Sequence, residues 1–276
     1  MIILRTRNEL KEFCKKNSDI GFVPTMGALH AGHEALIKRS VSENNITIVS
    51  IFVNPTQFLP HEDFNKYPRS LELDAKICEQ NKVDAIFAPE IDQMYENTES
   101  FKIIPPSFLT SVFEGALRPS HFDGVCLIII KLLNLIRPKK AYFGKKDAQQ
   151  LLILQHMAKE FFIDTQIIPC EIVRDSNNLA LSSRNIYLSE KSKIKALQLS
   201  RALFALKNTY ISGEKDTKKL LEIGKNELKN IDLDYFELID MDLQKVLVAS
   251  KNTIAIIAGK IKDDPKSPRL LDNIWL

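Results

Sequence analysis

Little in this sequence points to staples, anchors or tails. Cysteine is scarce: four residues in 276 (Cys14, Cys78, Cys126 and Cys170), widely scattered, with no CxxC and no cluster with histidine. That spacing excludes a zinc ribbon or a disulfide framework and predicts reduced thiols in a cytoplasmic protein. Glycine (9) and proline (12) are too few for a collagen-like or disordered chain, and neither a low-complexity tract nor an internal repeat occurs. No apolar run reaches the ~20 residues a membrane-spanning helix needs. The most apolar one, 125–136, is interrupted by Lys131 and Asn134 and reads as a buried helix. The opening MIILRTRNELKEFCKK has acidic residues and no long apolar stretch, so neither a signal nor a transit peptide is expected and the mature chain is expected to begin at Met1. An excess of one charge is missing too. With 38 basic against 35 acidic residues the net charge is +3, which excludes a surface dedicated to nucleic acid or membrane and requires any anion site to be local.

What is present is a globular composition, 45% hydrophobic and 26% charged, in a chain long enough for two unequal domains. From residue 19 to about 169, short apolar runs alternate with longer helical patterns. The runs 20–24, 46–53, 84–88, 140–143 and 163–168 read as doubly covered strands, and 29–43, 70–81, 124–136 and 148–160 as helices. This order predicts an α/β, Rossmann-like, doubly wound and mostly parallel sheet. Beyond the loop 174–185 the character changes. Lys-rich helical stretches at 189–212 and 216–228, then strand-like runs at 233–238 and 253–261, predict a smaller C-terminal α+β domain. The expected division is 1–172 for nucleotide and substrate binding and 173–276 for a domain closing over the nucleotide. The Pro-containing stretch 105–119 reads either as a lid or as a static loop.

Chemistry gathers in GFVPTMGALHAGHEALIKRS (21–40), read as strand, a turn containing Pro24 and Gly27, then an amphipathic helix. Such an order points a helix N-terminus, with its unpaired N–H groups, outward at the carboxyl end of a strand, a ready phosphate site. His30 and His33, three apart, are expected to share a helix face toward it, with Gly32 leaving the approach open. An HxxH pair can also mark a metal, but no third ligand lies nearby in sequence. No Ser-His-Asp or reactive-cysteine arrangement is seen.

The segment PTMGALHAGH resembles the HxGH region of the nucleotidyltransferase superfamily and is similar in particular to the pantothenate synthetase family. The resemblance continues in family order through FVNPTQF (52–58), YPRS (67–70), EGALRPSHFDGV (114–125), FGKKDAQQ (143–150) and LALSSRN (179–185). It implies an AMP-forming ligase: pantoate and ATP give a pantoyl adenylate and pyrophosphate, and β-alanine then displaces AMP to give pantothenate. It implies ATP contacts at Met26, Gly27, Ala28, Leu29, His30, Ala31, Gly32 and His33. Further ATP contacts are implied at Gly144, Lys145, Lys146 and Asp147, and at Val173, Leu181, Ser182, Ser183 and Arg184. His33, His30, Lys146 and Arg184 are the expected catalytic groups, and an imidazole donor at a phosphate is worth ~10²–10³ in rate. Gln57 and Gln150, helped by His121, are implied as pantoate contacts, because a neutral amide both donates and accepts without quenching a carboxylate. Mg2+ is expected with ATP, with Asp74 as the carried-over ligand, although on spacing alone Asp74 reads equally as a surface helix residue.

Four positions depart from the family pattern: Leu73 replaces an acid, Ser120 and Asn178 replace glycines, and Lys145 replaces a glutamate. A homodimer is implied, and neither nucleic acid nor membrane is expected as a partner. Two other functions compete. A nucleotidyltransferase acting on a phosphorylated acceptor shares HxGH but not FVNPTQF, RPSHF or the paired glutamines. A nucleotide- or RNA-binding protein has only patches such as 137–140 in its favour.

Overall fold

The computed structural model describes residues 1–60, 62–96, 101–264 and 267–276. It divides into two compact units, 1–144 with 153–170, and 145–152 with 171–276. The elements of the first part of the chain are β1 (Ile2–Leu4), α1 (Arg7–Lys16), β2 (Ile20–Thr25), α2 (Ala31–Glu43), β3 (Ile46–Ile51), α3 (Leu71–Gln80), β4 (Ala85–Phe87), α4 (Ile91–Met94), α5 (Ser107–Thr110), α6 (Phe113–Leu117), α7 (His121–Ile136), β5 (Lys140–Gly144), α8 (Ala148–Glu160) and β6 (Gln166–Cys170). There follow α9 (Glu190–Ile211), α10 (Thr217–Lys225), β7 (Ile231–Ile239), β8 (Ile254–Ile261) and β9 (Leu270–Trp275).

In the first unit six strands form one sheet in the order β1-β4-β3-β2-β5-β6, with every pair parallel. Successive connections run from β2 toward β4 on one side and from β5 toward β6 on the other. The order therefore reverses between β2 and β5, and such a switch point opens a crevice at the carboxyl ends of its two strands. The strands are apolar because both faces are covered. Val23, Ile37, Val49, Ile86 and Tyr142 pack together with 0% exposure each. α7 is buried around most of its circumference.

Several expectations shift. Pro24 lies within β2 rather than in the turn. It is tolerated because β2 pairs with β5 at Gly21 and Phe22, short of the proline that lacks an N–H. The stretch 105–119, expected as a lid or a static loop, contains the two short helices α5 and α6.

The second unit packs α9 and α10 on an antiparallel sheet ordered β7-β8-β9, with Ala202, Leu203, Leu206, Leu220, Ala255 and Ile257 fully buried between them. Residues 145–152, the turn after β5 and the start of α8, group with this unit.

Candidate active site

The turn between β2 and α2 uses backbone that side chains resist. Gly27 has φ 81 and Ala28 φ 52, two consecutive left-handed residues, of which only the first is glycine. A single carboxylate holds them. Asp74 on α3, 2% exposed, accepts N–H of Ala28 at 3.0 Å through Oδ2 and N–H of Leu29 at 2.8 Å through Oδ1. A Cβ at Gly27 would stand 2.8 Å from the same Oδ2. Burial raises the pKa of Asp74, against the two amide hydrogen bonds that favour its ionised form. Thr25 fixes the near end of the turn by accepting N–H of Gly27 at 3.1 Å and donating to the carbonyl of Ser50 at 2.7 Å.

The two histidines lie side by side, as their spacing suggested, but His30 stands just outside the helix. His30 is the N-cap of α2, in extended backbone, and His33 is its third helical residue. Together they make a capping box: His30 Nδ1 accepts N–H of Gly32 at 3.1 Å, and His33 Nδ1 accepts N–H of His30 at 3.3 Å. Their ring centroids are 4.2 Å apart. Because both Nδ1 atoms accept, the ring proton belongs on Nε2 of each histidine, which is a donor there. This end of the helix has its dipole, its amide groups and two imidazole donors in one place.

Gln57 closes the 3-10 turn Pro55–Gln57, and its Nε2 donates to Met26 Sδ at 3.2 Å, joining the amide to the turn between β2 and α2. Asn54, 1% exposed, organises this segment. Its Nδ2 donates to Gln57 Oε1 and to the carbonyl of Gly124, both at 3.1 Å, and its Oδ1 accepts from Tyr95 at 2.7 Å. α7 approaches so closely that a Cβ at Gly124 would lie 2.3 Å from the carbonyl of Thr56. His121 serves the same segment through the backbone: its Nδ1 donates to the carbonyl of Gln57 at 2.7 Å, while Arg118 donates to its Nε2 at 3.0 Å. Burial first and the Arg118 charge second push His121 down to about 4, so it is neutral. Arg118 is itself held bidentately by Glu62 at 2.6 and 2.7 Å; burial raises the Glu62 pKa, but the Arg118 pairing together with the N–H of Leu59 leaves it lowered. Ser120 adopts φ 64, which explains why glycine suits that position.

In the second unit, Lys145, Lys146 and Asp147 form the turn between β5 and α8. Asn273 Nδ2 donates to the carbonyls of Lys145 (2.9 Å) and Lys146 (2.7 Å). Lys145 pairs with Glu171 and lies 4.9 Å from the centre of the Trp275 ring, whereas Lys146 Nζ lies 3.2 Å from Asp147. Gln150 follows on the first turns of α8 and is half-buried. The loop 173–184 folds back on itself: N–H of Leu181 donates to the carbonyl of Val173 at 3.0 Å, and Ser182 caps the 3-10 turn Ser183–Tyr187 by accepting N–H of Arg184 at 3.3 Å. Asn178 takes the left-handed conformation, φ 72.

Thus Met26 to His33, Gln57 and His121 form one connected group within the first unit, while 145–150 and 173–184 belong to the second. The profile of the pantoate–β-alanine ligase family matches residues 2–275. The chain belongs to the pantoate–β-alanine ligase family. It is 47% identical over its whole length to the pantothenate synthetase of Helicobacter pylori (strain ATCC 700392 / 26695) and 50% identical to that of Campylobacter curvus (strain 525.92), covering 100% of each. The crystal structure of the Thermus thermophilus ligase superposes with a TM-score of 0.95 at 36% identity, covering 100% of this chain and 99% of that one. The Francisella tularensis ligase, complexed with beta-gamma ATP and β-alanine, matches with a TM-score of 0.81 at 33% identity, covering 100% of this chain and 97% of that one. As a pantoate–β-alanine ligase, the chain is an ATP-dependent enzyme that joins pantoate to β-alanine.

Sequence reasoning about this ligase missed Asn54, the Glu62–Arg118 pair and Asn273. Asn54 stood inside a recognised motif, but its hydrogen-bonding duties depend on α7 and Tyr95, far away in sequence. Asn273 announced itself only as part of a polar pair in the apolar strand LLDNIW.

Proposed function

We propose that the ligase works in two steps on the residues just described. Pantoate's carboxylate oxygen attacks the α-phosphorus of ATP, the bond to the bridging oxygen breaks, and pyrophosphate leaves. The amine of β-alanine then attacks the acyl carbon of the adenylate, AMP departs with the electron pair of the C–O bond, and the amine gives up a proton. No enzyme nucleophile is required; the enzyme supplies positioning and positive charge.

The observation that carries this reading is the histidine capping box. It presents two Nε2–H donors beside the amino end of α2, where charge on the α-phosphate grows during attack. Met26 to His33 cradle the triphosphate. Gly144 to Asp147, with Lys146 foremost, and Val173 and Leu181 to Arg184 provide the remaining nucleotide contacts. Gln57 and Gln150 orient pantoate. His121 acts on Gln57 through its carbonyl rather than on substrate, because both ring nitrogens are engaged by protein.

Asp74 does not fit as a Mg2+ ligand, since each of its oxygens receives a backbone N–H and the side chain is buried. Among the described residues no group of three His, Cys, Asp or Glu side chains is placed to hold a metal. Mg2+ brought in with ATP would be held chiefly by phosphate and water oxygens, which it retains readily, and would supply charge neutralisation there. Homodimeric assembly and a cytoplasmic location complete the proposal. Light scattering tests the first and fractionation the second.

The mechanism is tested by exchange of labelled pyrophosphate into ATP with pantoate present and β-alanine omitted. Exchange is expected only when pantoate is supplied. Exchange that demanded β-alanine would replace the stepwise route with a concerted one, and ADP as product would place attack at the γ-phosphate.

A further inference from the structure

The strand β9 reads LLDNIW, and burying a carboxylate and an amide side by side in an apolar strand is costly unless each polar atom is satisfied. Asp272 is 5% and Asn273 1% exposed, and both are satisfied in full. The two Nδ2 protons of Asn273 go to the carbonyls of Lys145 and Lys146, and its Oδ1 accepts the indole N–H of Trp275 at 3.1 Å. This fixes the orientation of the amide, because the reverse would set its oxygen against two carbonyls. Asp272 accepts Arg174 bidentately at 2.6 and 2.8 Å and also N–H of Asn273 at 2.7 Å. Arg174 donates in addition to the carbonyls of Asn178 and Asn273, each at 3.2 Å. The turn bearing Lys146 and the loop leading to Arg184 are thus both fastened to one dipeptide.

We propose that Asn273 is a positioning residue for the lysine turn, seated in place by the Asp272–Arg174 pair, and that it sets where Lys146 delivers its charge. Lys146 has a long flexible stem, so the location of its backbone decides the volume its ammonium can sample. Two hydrogen bonds from one buried amide to successive carbonyls leave that peptide little freedom. The inference rests on Lys146 being a nucleotide contact, as proposed above.

The test is pantoate-dependent pyrophosphate exchange in the wild type, Asn273→Ala, Lys146→Ala and the double variant. If the wild type fails to exchange, the ligase mechanism falls and not this inference alone. With exchange present, Asn273→Ala is expected to lower its rate about tenfold or more while the KM for pantoate stays within about twofold. In the Lys146→Ala background the same substitution should cost less than about twofold, because a residue acting through Lys146 has nothing left to position. A merely structural role predicts losses that multiply. Multiplying losses, or wild-type exchange in Asn273→Ala, would overturn the proposal. Should Asn273→Ala melt out below the assay temperature, Trp275→Phe removes the indole donor to the amide while keeping an aromatic ring beside Lys145, and a smaller loss with the same dependence on Lys146 is expected.

Discussion

Asp74 shows how one buried side chain can hold a turn in shape through backbone N–H groups alone. Its two oxygens satisfy the amides of Ala28 and Leu29 in a turn where Ala28 has φ 52, a conformation that costs a non-glycine residue free energy. Asp74→Asn keeps the shape but turns one acceptor into a donor facing an N–H. The expected result is a loss of about 2 kcal/mol in stability, the usual scale for charge-assisted bonds to buried groups, together with a raised KM for ATP that extra Mg2+ does not rescue. Recovery of activity by millimolar Mg2+ would instead restore the metal-ligand role. From sequence Asp74 read equally as ligand or surface residue, because across a separation of 45 residues nothing tells which backbone a carboxylate will meet. Gly27, by contrast, was legible as a turn residue, since the constraint on it is local.

At the scale of elements, α2 owes its first turn to the two histidines, and capping can be separated from chemistry. His30→Ala is expected to cost about 1 kcal/mol and turnover as well, whereas His30→Asn, a good N-cap, should restore most of the stability and little of the turnover. Chemical denaturation alongside kcat reads both effects. Full turnover in His30→Asn would reduce His30 to a cap. The strands β2 to β6 and the long helices were visible in the sequence because doubly covered strands are continuous apolar runs and helices show their 3.6-residue period. β1 and β9 were not recognised. β1 is three residues long, and β9 interrupts its apolar run with the polar pair whose partners lie elsewhere. α7 begins at His121 rather than at Gly124, since its first turn is polar where it meets the Gln57 segment.

For the whole molecule, His121 makes stability depend on pH. Its folded-state value is depressed to about 4 from an ordinary 6.5, so the unfolded chain binds the proton first. Stability from this group is complete above pH 6.5 and declines as pH falls through the window down to about 4. Urea midpoints should therefore drop between pH 6.5 and 5, where few carboxylates titrate, and His121→Asn should flatten that decline. An unchanged slope in the variant would show that other groups control it.

The bonds from Asn273 to the lysine turn span 128 and 127 residues of chain. Contacts so distant in sequence carry a large loop-closure entropy and form late. At synthesis rates of about 5–20 residues per second, Lys146 leaves the ribosome on the order of ten seconds before the strand that fastens it. The histidine helix, whose cap is made of neighbours, has no such wait. A growing chain would thus close the histidine cap of α2 well before its lysine turn is fastened, and under the role proposed for Lys146 its activity would await the registration of the last strand.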